Sequence, residues 1–282
     1  MLFISVTECS KGSIGGGGFA DIYKGIFNEQ RVALKRLRVF MMTEESRRPE
    51  MMKAFYHECL LWRNLSHKHI LPILGIDNQL FNGSLCMVMP WMEHGNIRTV
   101  IDVMRNQGSK SPADLQLQVY HWMAEIVSGL AYLHEEGIAH GDVNILIDDS
   151  YHVHLADFGL AVFADGASNN YGSMRGGALR WLSPELIDPE ELGLESSRPT
   201  YASDIYSFAC LYTSQSPFFG MPDGTVLVRV LAGKRPKRPT FHGGVEMTDA
   251  LWDILNRCWA QSASDRPLAS EIVTLIDALD EY

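Results

Sequence analysis

The spacing of apolar residues changes at Pro90, and this restricts the chain to a mixed architecture. Before Pro90 the apolar runs are short and alternate. Residues 19–26 and 31–37 read as strands, with Asn28-Glu29-Gln30 as the hairpin turn between them. Residues 71–76 and 85–89 read as two more. One helix interrupts at about 49–65, where Pro49 suits a first turn and Phe55, Glu58, Cys59, Trp62 and Leu65 recur at helical spacing. After Pro90 helices dominate. In 114–136 the positions Val119, Trp122, Met123, Ile126, Val127, Leu130 and Leu133 form one stripe, and Gly137 is a natural stop. Further helices are expected at 202–212, 226–232, 247–259 and 268–279. There is no internal repeat and no low-complexity linker. The expectation is an α+β fold, a small β-rich half joined to a larger helical half with a cleft between them.

A chain of 282 residues suits one large domain or two tightly joined lobes. With 46% hydrophobic and 21% charged residues it has the composition of a folded domain. The formal net charge of −10 argues against nucleic acid or an anionic membrane as partner. The one basic run, Lys234-Arg235-Pro236-Lys237-Arg238, reads as a docking patch or, more simply, as a solvated turn stiffened by Pro236 and Pro239. The five cysteines are scattered and odd in number, which points to a reducing compartment and away from a disulfide framework or zinc site. No signal peptide and no apolar run of about 18 residues is visible, so the expected protein is soluble, intracellular and cytoplasmic.

Chemistry enters at Ile14-Gly15-Gly16-Gly17-Gly18-Phe19-Ala20-Asp21-Ile22-Tyr23. Without Cβ atoms, such a turn lets backbone N–H groups approach phosphate oxygens. Gly15-x-Gly17-x-x-Ala20 also fits a dinucleotide fingerprint, but that motif needs a helix to follow. Here Ile22, Lys24 and Ile26 alternate against Tyr23, Gly25 and Phe27, as in a strand. The next strand, Val32-Ala33-Leu34-Lys35, buries a lysine among apolar residues. An unpaired charge there costs several kcal/mol, so Lys35 needs a partner, and Glu58 on the following helix can supply one.

The order glycine loop, Val32-Ala33-Leu34-Lys35, Glu58, His140-Gly141-Asp142, Asp157-Phe158-Gly159 and Ser183-Pro184-Glu185 resembles the protein kinase signature set over roughly residues 14–276. Trp181, and Trp259 with Arg266-Pro267, look like the tyrosine-kinase-like group of Ser/Thr kinases. The wording of the glycine loop is similar to kinase-only proteins of mushroom-forming fungi. The resemblance implies a two-lobed kinase fold, with an N-lobe at 1–89, a hinge at 90–95 and a C-lobe at 96–282. It implies that the chain binds ATP and Mg2+, with a protein as substrate or regulatory partner. The site would be framed by Ile14, Gly15, Gly16, Gly17, Gly18, Ile22 and Ala33. Lys35, held by Glu58, would face the α- and β-phosphates. Met89 would close the back of the adenine pocket, and the backbones of Pro90 and Met92 would bond adenine. Asp157 and Asn144 would hold metal, and Asp142 would take the substrate proton. Glu185 with Arg266 would anchor the activation segment, and Asp204 would steady the catalytic loop.

One motif departs from the family. Kinases place four residues between the catalytic Asp and the metal-binding Asn, and a lysine sits among them. This chain reads His140-Gly141-Asp142-Val143-Asn144, with one residue between. Three residues are missing, about 10 Å of chain, so Asp142 and Asn144 are not expected to occupy both usual places. Ala178 stands where a Thr or Ser normally contacts the catalytic Asp, and helix 202–212 looks about four residues short. Gly141 replaces an arginine that pairs with activation-loop phosphate, so the chain would lean less on modification of Ser168, Tyr171 or Ser173. His152 and His154 share a strand face but have no visible third metal ligand. Three readings stay open: a slow protein kinase, a nucleotide-binding pseudokinase scaffold, and an active kinase whose written sequence has lost two short pieces.

Overall fold

The computed structural model describes residues 3–16, 20–37, 48–81, 84–107, 111–157, 162–163, 179–192, 194, 197–211, 217–238 and 247–280. Five strands form an antiparallel sheet: β1 (Gly15–Gly16), β2 (Ala20–Phe27), β3 (Gln30–Leu37), β4 (Gly75–Asp77) and β5 (Cys86–Pro90), in the order β1-β2-β3-β5-β4. Asn28 and Glu29 both take positive φ, which gives a two-residue hairpin loop closed by the pair Phe27 and Gln30. Register sorts the side chains. Ile22 lies opposite Lys35, Ala33 opposite Met89, and Lys35 opposite Met87, so these residues share one face. The other face carries Val32, Leu34, Cys86 and Val88, all buried.

That second face is covered by the chain's own start. Residues 3–10 run alongside the sheet, with Thr7 and Ile26 exchanging two backbone hydrogen bonds of 2.8 Å. Val6 is buried there, and its N–H donates to the buried Asp77 carboxylate. A Cβ on Gly25 would lie 2.7 Å from Val6 Cγ1, so the close approach of this strap requires glycine.

The expected strand at 71–76 shrinks to Gly75–Asp77. The reason is where its backbone bonds go. Leu71 N donates to Leu155 O, Leu155 N donates to His69 O, and Pro72 has no N–H to offer. This stretch therefore ties the sheet half to the helical half. It is preceded by α1 (Arg48–Arg63).

The helical half begins with β6 (Gly95–Asn96) and α2 (Ile97–Gln107), a helix absent from the sequence reading above. Then comes α3 (Pro112–Glu135), which starts two residues earlier than the periodicity indicates because Ser111 caps it and Pro112 fills its first turn. Short strands β7 (Ile138–Ala139), β8 (Asn144–Ile147), β9 (Val153–Ala156) and β10 (Val162–Phe163) follow. β8 lies between β6 and β9, and β10 pairs with β7. The remaining helices are α4 (Pro184–Ile187), α5 (Tyr201–Cys210), α6 (Asp223–Leu231), α7 (Asp249–Cys258) and α8 (Ala269–Asp280). The larger of two apolar clusters among the described residues runs from Phe55, Cys59 and Met89 through Trp122, Ile126, Leu155 and Phe208 to Ile276, and the smaller one lies under the strap.

The basic run is more than a solvated turn. Arg235 bonds Trp259 O at 2.7 Å and Gln261 at 2.6 Å and lies over the Tyr206 ring, while Arg238 pairs with Asp249 at 2.7 Å. Two of the five residues thus tie α6 and α7 to the core. Among the described residues, no helix is long and apolar enough to cross a membrane. None of the five cysteines is in a disulfide.

Candidate active site

The sheet face that carries Ile22, Ala33 and Lys35 is the upper wall of the site. Lys35 is 8% exposed, and its Nζ lies 2.7 Å from Asp157 Oδ1. Strand β3 fixes the lysine, and the end of β9 fixes the aspartate. Asp157 has φ of +67°, a left-handed conformation that aspartate tolerates better than most residues and that clusters at functional sites. Its side chain is 47% exposed, so the pair opens onto solvent on the carboxylate side. Glu58, the partner expected for Lys35, is carried by α1, but its side chain lies outside the described ones. A Cβ on Gly15 would meet nothing within 4 Å, so the space beside this part of the glycine turn is open. Gly16 is described with it in β1, while Gly17 and Gly18 lie outside the described residues. At the far edge, Met89 and Met92 are buried, and Pro90 ends β5 opposite Val32.

The lower wall is the link between β7 and β8, only four residues long, from His140 to Val143. Its start is firmly held. Asp204 of α5 is 1% exposed and accepts from His140 N at 2.7 Å and Gly141 N at 2.9 Å, as expected of the residue that steadies the loop. Gly141 has φ of +85°, which lets the chain turn at once. Asn144 is already in β8, its backbone paired with Ala156. Its Oδ1 accepts from Asn96 Nδ2 at 3.1 Å. Asp142 and Asn144 share a cavity of about 340 Å³ with Asn96, Arg98, Trp181 and Leu211, and neither Lys35 nor Asp157 is part of its lining.

A second ion pair lies behind the loop. Arg266 grips Glu185 with two bonds of 2.6 and 2.7 Å and also donates to Ala202 O and Ala260 O. Burial alone would raise the Glu185 carboxyl, but the hydrogen bonds and charge of Arg266 reverse this and hold it below the usual range. The pair is the one expected to anchor the activation segment. Phe158, Gly159, Ser168, Tyr171, Ser173 and Ala178 lie outside the described residues. His152 and His154 do not converge. His152 bonds Glu125 at 2.6 Å, His154 bonds Asp148 at 3.0 Å, and no metal-binding cluster of three occurs among the described residues.

Sequence reading missed Asn96. Its position after Gly95 and just ahead of Ile97, Val100, Ile101 and Met104 is a helix-start signal, and its side chain indeed caps α2 by accepting from Arg98 N at 2.9 Å. Its second bond, to Asn144, has no local signal.

A family model described as protein tyrosine and serine/threonine kinase matches residues 9–276. The chain belongs to that family. Among curated relatives, it is 29% identical over 273 residues to the serine/threonine/tyrosine-protein kinase HT1 of Arabidopsis thaliana, covering 94% of this chain and 64% of that one. It is 28% identical over 277 residues to the probable serine/threonine-protein kinase drkB of Dictyostelium discoideum, covering 95% and 36%. It is 28% identical over 270 residues to MAP3K epsilon protein kinase 1 of Arabidopsis thaliana, covering 93% and 18%. The chain therefore spans less than two thirds of the length of these relatives. The kinase fold, a sheet half on a helical half, is the one described above. Enzymes of this family move the γ-phosphoryl group of ATP, with Mg2+, onto protein hydroxyls. The likeness to fungal kinase-only proteins stays an expectation from the wording of the glycine loop.

Proposed function

We propose that this kinase domain binds Mg-ATP beneath its sheet and transfers phosphate to Ser or Thr hydroxyls of proteins only slowly. The carrying observation is the buried Lys35 held 2.7 Å from Asp157 beside an open glycine strand, combined with a β7–β8 link of four residues. The residues fit a nucleotide. Lys35 offers a fixed cation to phosphate oxygens. Asp157, half exposed, offers a carboxylate to Mg2+, which when bound neutralises charge that builds on the transferring phosphoryl group. Ile22 and Ala33 line the same sheet face, and Met89 and the backbones of Pro90 and Met92 stand at the adenine end. In this reading 1–89 is the N-lobe, 90–95 the hinge and 96–282 the C-lobe. Five cysteines outside any disulfide, four of them buried, favour an intracellular setting.

The slow step follows from the lower wall. Asp142 is the base that would take the hydroxyl proton, and Asn144 the second metal ligand. With one residue between them, both face the cavity against α2 and Trp181. A displacement of about 1 Å in catalytic geometry costs on the order of 100-fold in rate. The lysine that usually follows the base is absent from the chain. The bond from Asn96 to Asn144 favours a second reading in the same direction, a pseudokinase that binds nucleotide and acts through a regulatory partner.

Binding is tested by thermal shift of the folded protein with and without Mg-ATP. A rise in Tm at millimolar nucleotide is expected. No shift in a folded sample would remove the basis for the proposal.

A further inference from the structure

The orientation of Asn144 is set by a chain of two hydrogen bonds. Asn96 Oδ1 accepts from the N–H of Arg98 at 2.9 Å, which fixes the carbonyl side of the Asn96 amide toward α2. Its amino group is then left on the other side, where it donates to Asn144 Oδ1 at 3.1 Å. Neither amide can be flipped without setting N–H against N–H, so the atom that Asn144 presents to Asn96 is its carbonyl oxygen. That oxygen is also the only atom of an asparagine side chain suited to a hard divalent cation. One of its two lone pairs is taken by Asn96, so a cation on the other would lie beside the positive end of the Asn96 amino group.

The backbone gives Asn144 little freedom to turn elsewhere. It is the first residue of β8 and is paired with Ala156, and β6 and β8 are neighbours, which keeps Asn96 and Asn144 together. Upstream, His140 and Gly141 are clamped by Asp204, so only Asp142 and Val143 lie between the clamp and the strand. The Asn144 side chain lines the cavity beside Asp142, Trp181 and Leu211, whereas Asp157 pairs with Lys35 outside that lining.

We propose that Asn144 is a staple between the catalytic loop and α2 instead of a metal ligand, so that this domain holds one divalent cation with its nucleotide, at Asp157. The staple stands on the geometry alone, while the cation count rests on the nucleotide reading above.

Two measurements on the full chain separate these parts. In the first, without nucleotide, Asn96→Ala and Asn144→Ala are compared with the double variant by thermal unfolding. Each single change lowers Tm, the double variant falls no further than the worse single, and Asn144→Asp, which keeps an acceptor, stays near the parent. Fully additive losses overturn the staple. In the second, Mn2+ binding is followed by electron paramagnetic resonance with a non-hydrolysable ATP analogue. One Mn2+ per chain is expected, with its affinity unchanged in Asn144→Ala and lost in Asp157→Ala. Two Mn2+ per chain, one of them lost in Asn144→Ala, overturns the proposal. No nucleotide-dependent Mn2+ at all defeats the nucleotide reading and the cation count, with the staple still decided by the first measurement.

Discussion

Two ion pairs of nearly equal length, Arg266–Glu185 at 2.6 Å and Lys35–Asp157 at 2.7 Å, perform opposite tasks in this molecule. In the first, the side chains are 0% and 4% exposed, and Arg266 spends its other N–H groups on two backbone carbonyls. Every charge is satisfied from within, and the pair fastens α4 to the segment after α7. In the second, Lys35 is buried but Asp157 is 47% exposed, so the pair stands open to solvent on its carboxylate side. A closed pair holds the structure together. An open pair is available to a ligand that brings its own charges.

Removing one partner of each pair tests that contrast, and the largest loss of stability is expected at the closed one. Arg266→Met leaves the Glu185 carboxylate buried without its cation and should destabilise by about 3–5 kcal/mol. In a domain of this size that lowers Tm by roughly 10 °C. Lys35→Met should change stability by less than about 1 kcal/mol, because Asp157 remains in contact with water. The same change should weaken nucleotide binding about 10- to 100-fold, the worth of one lost charged hydrogen bond. Equal Tm losses for the two variants would erase the distinction.

Acid sharpens it further. The Glu185 carboxyl is held below its ordinary range, so its contribution is present above about pH 4.3 and is lost as the pH falls through the lowered value. Unfolding curves of the parent should keep this contribution from neutral pH down to about pH 5. In Arg266→Met the carboxyl loses the partner that depresses it, so acid should destabilise the variant less than the parent below pH 4. A parent that loses the contribution already at pH 6 would contradict the assignment.

A more local effect is expected in the N-terminal strap. Gly25→Ala sets a Cβ against Val6 Cγ1, so Val6 must shift, with a loss of about 1–3 kcal/mol. Hydrogen exchange at Val6 and Thr7 should speed up while that at Leu130 in α3 stays slow. Unchanged exchange at Val6 would mean that the strap does not depend on this contact.

What the sequence shows of this molecule divides along the same line as its contacts. Periodicity, a local property, brings out the hairpin, α3 and the late helices within a few residues of their ends. It errs at 71–73, ahead of β4, where Leu71 bonds to Leu155 of β9, a pairing more than eighty residues away in the chain. The glycine strand, Lys35 and Asp157 are recognisable as motifs. That Asp157 itself stands against Lys35 is a tertiary fact, since their hydrogen bond joins residues 122 apart. Helix α2 carries a readable pattern in Ile97, Val100, Ile101 and Met104 that the sequence reading above does not include. The shortened catalytic loop is plain in the sequence as a spacing. Its consequence, Asn144 tied to Asn96 across 48 positions, is visible only in three dimensions.

The most direct measurement of whether that spacing limits the chemistry is phosphate transfer to a generic basic protein by three forms of the chain. These are the parent, a form with Lys-Gly-Ala inserted between Val143 and Asn144, and the inserted form carrying Asp142→Asn. General-base catalysis is worth about 10²–10⁴-fold. The inserted form should therefore exceed the parent by orders of magnitude, and Asp142→Asn should abolish the gain. A parent as fast as its lengthened form would show that the short loop is competent and that phosphoryl transfer in this domain is not impaired.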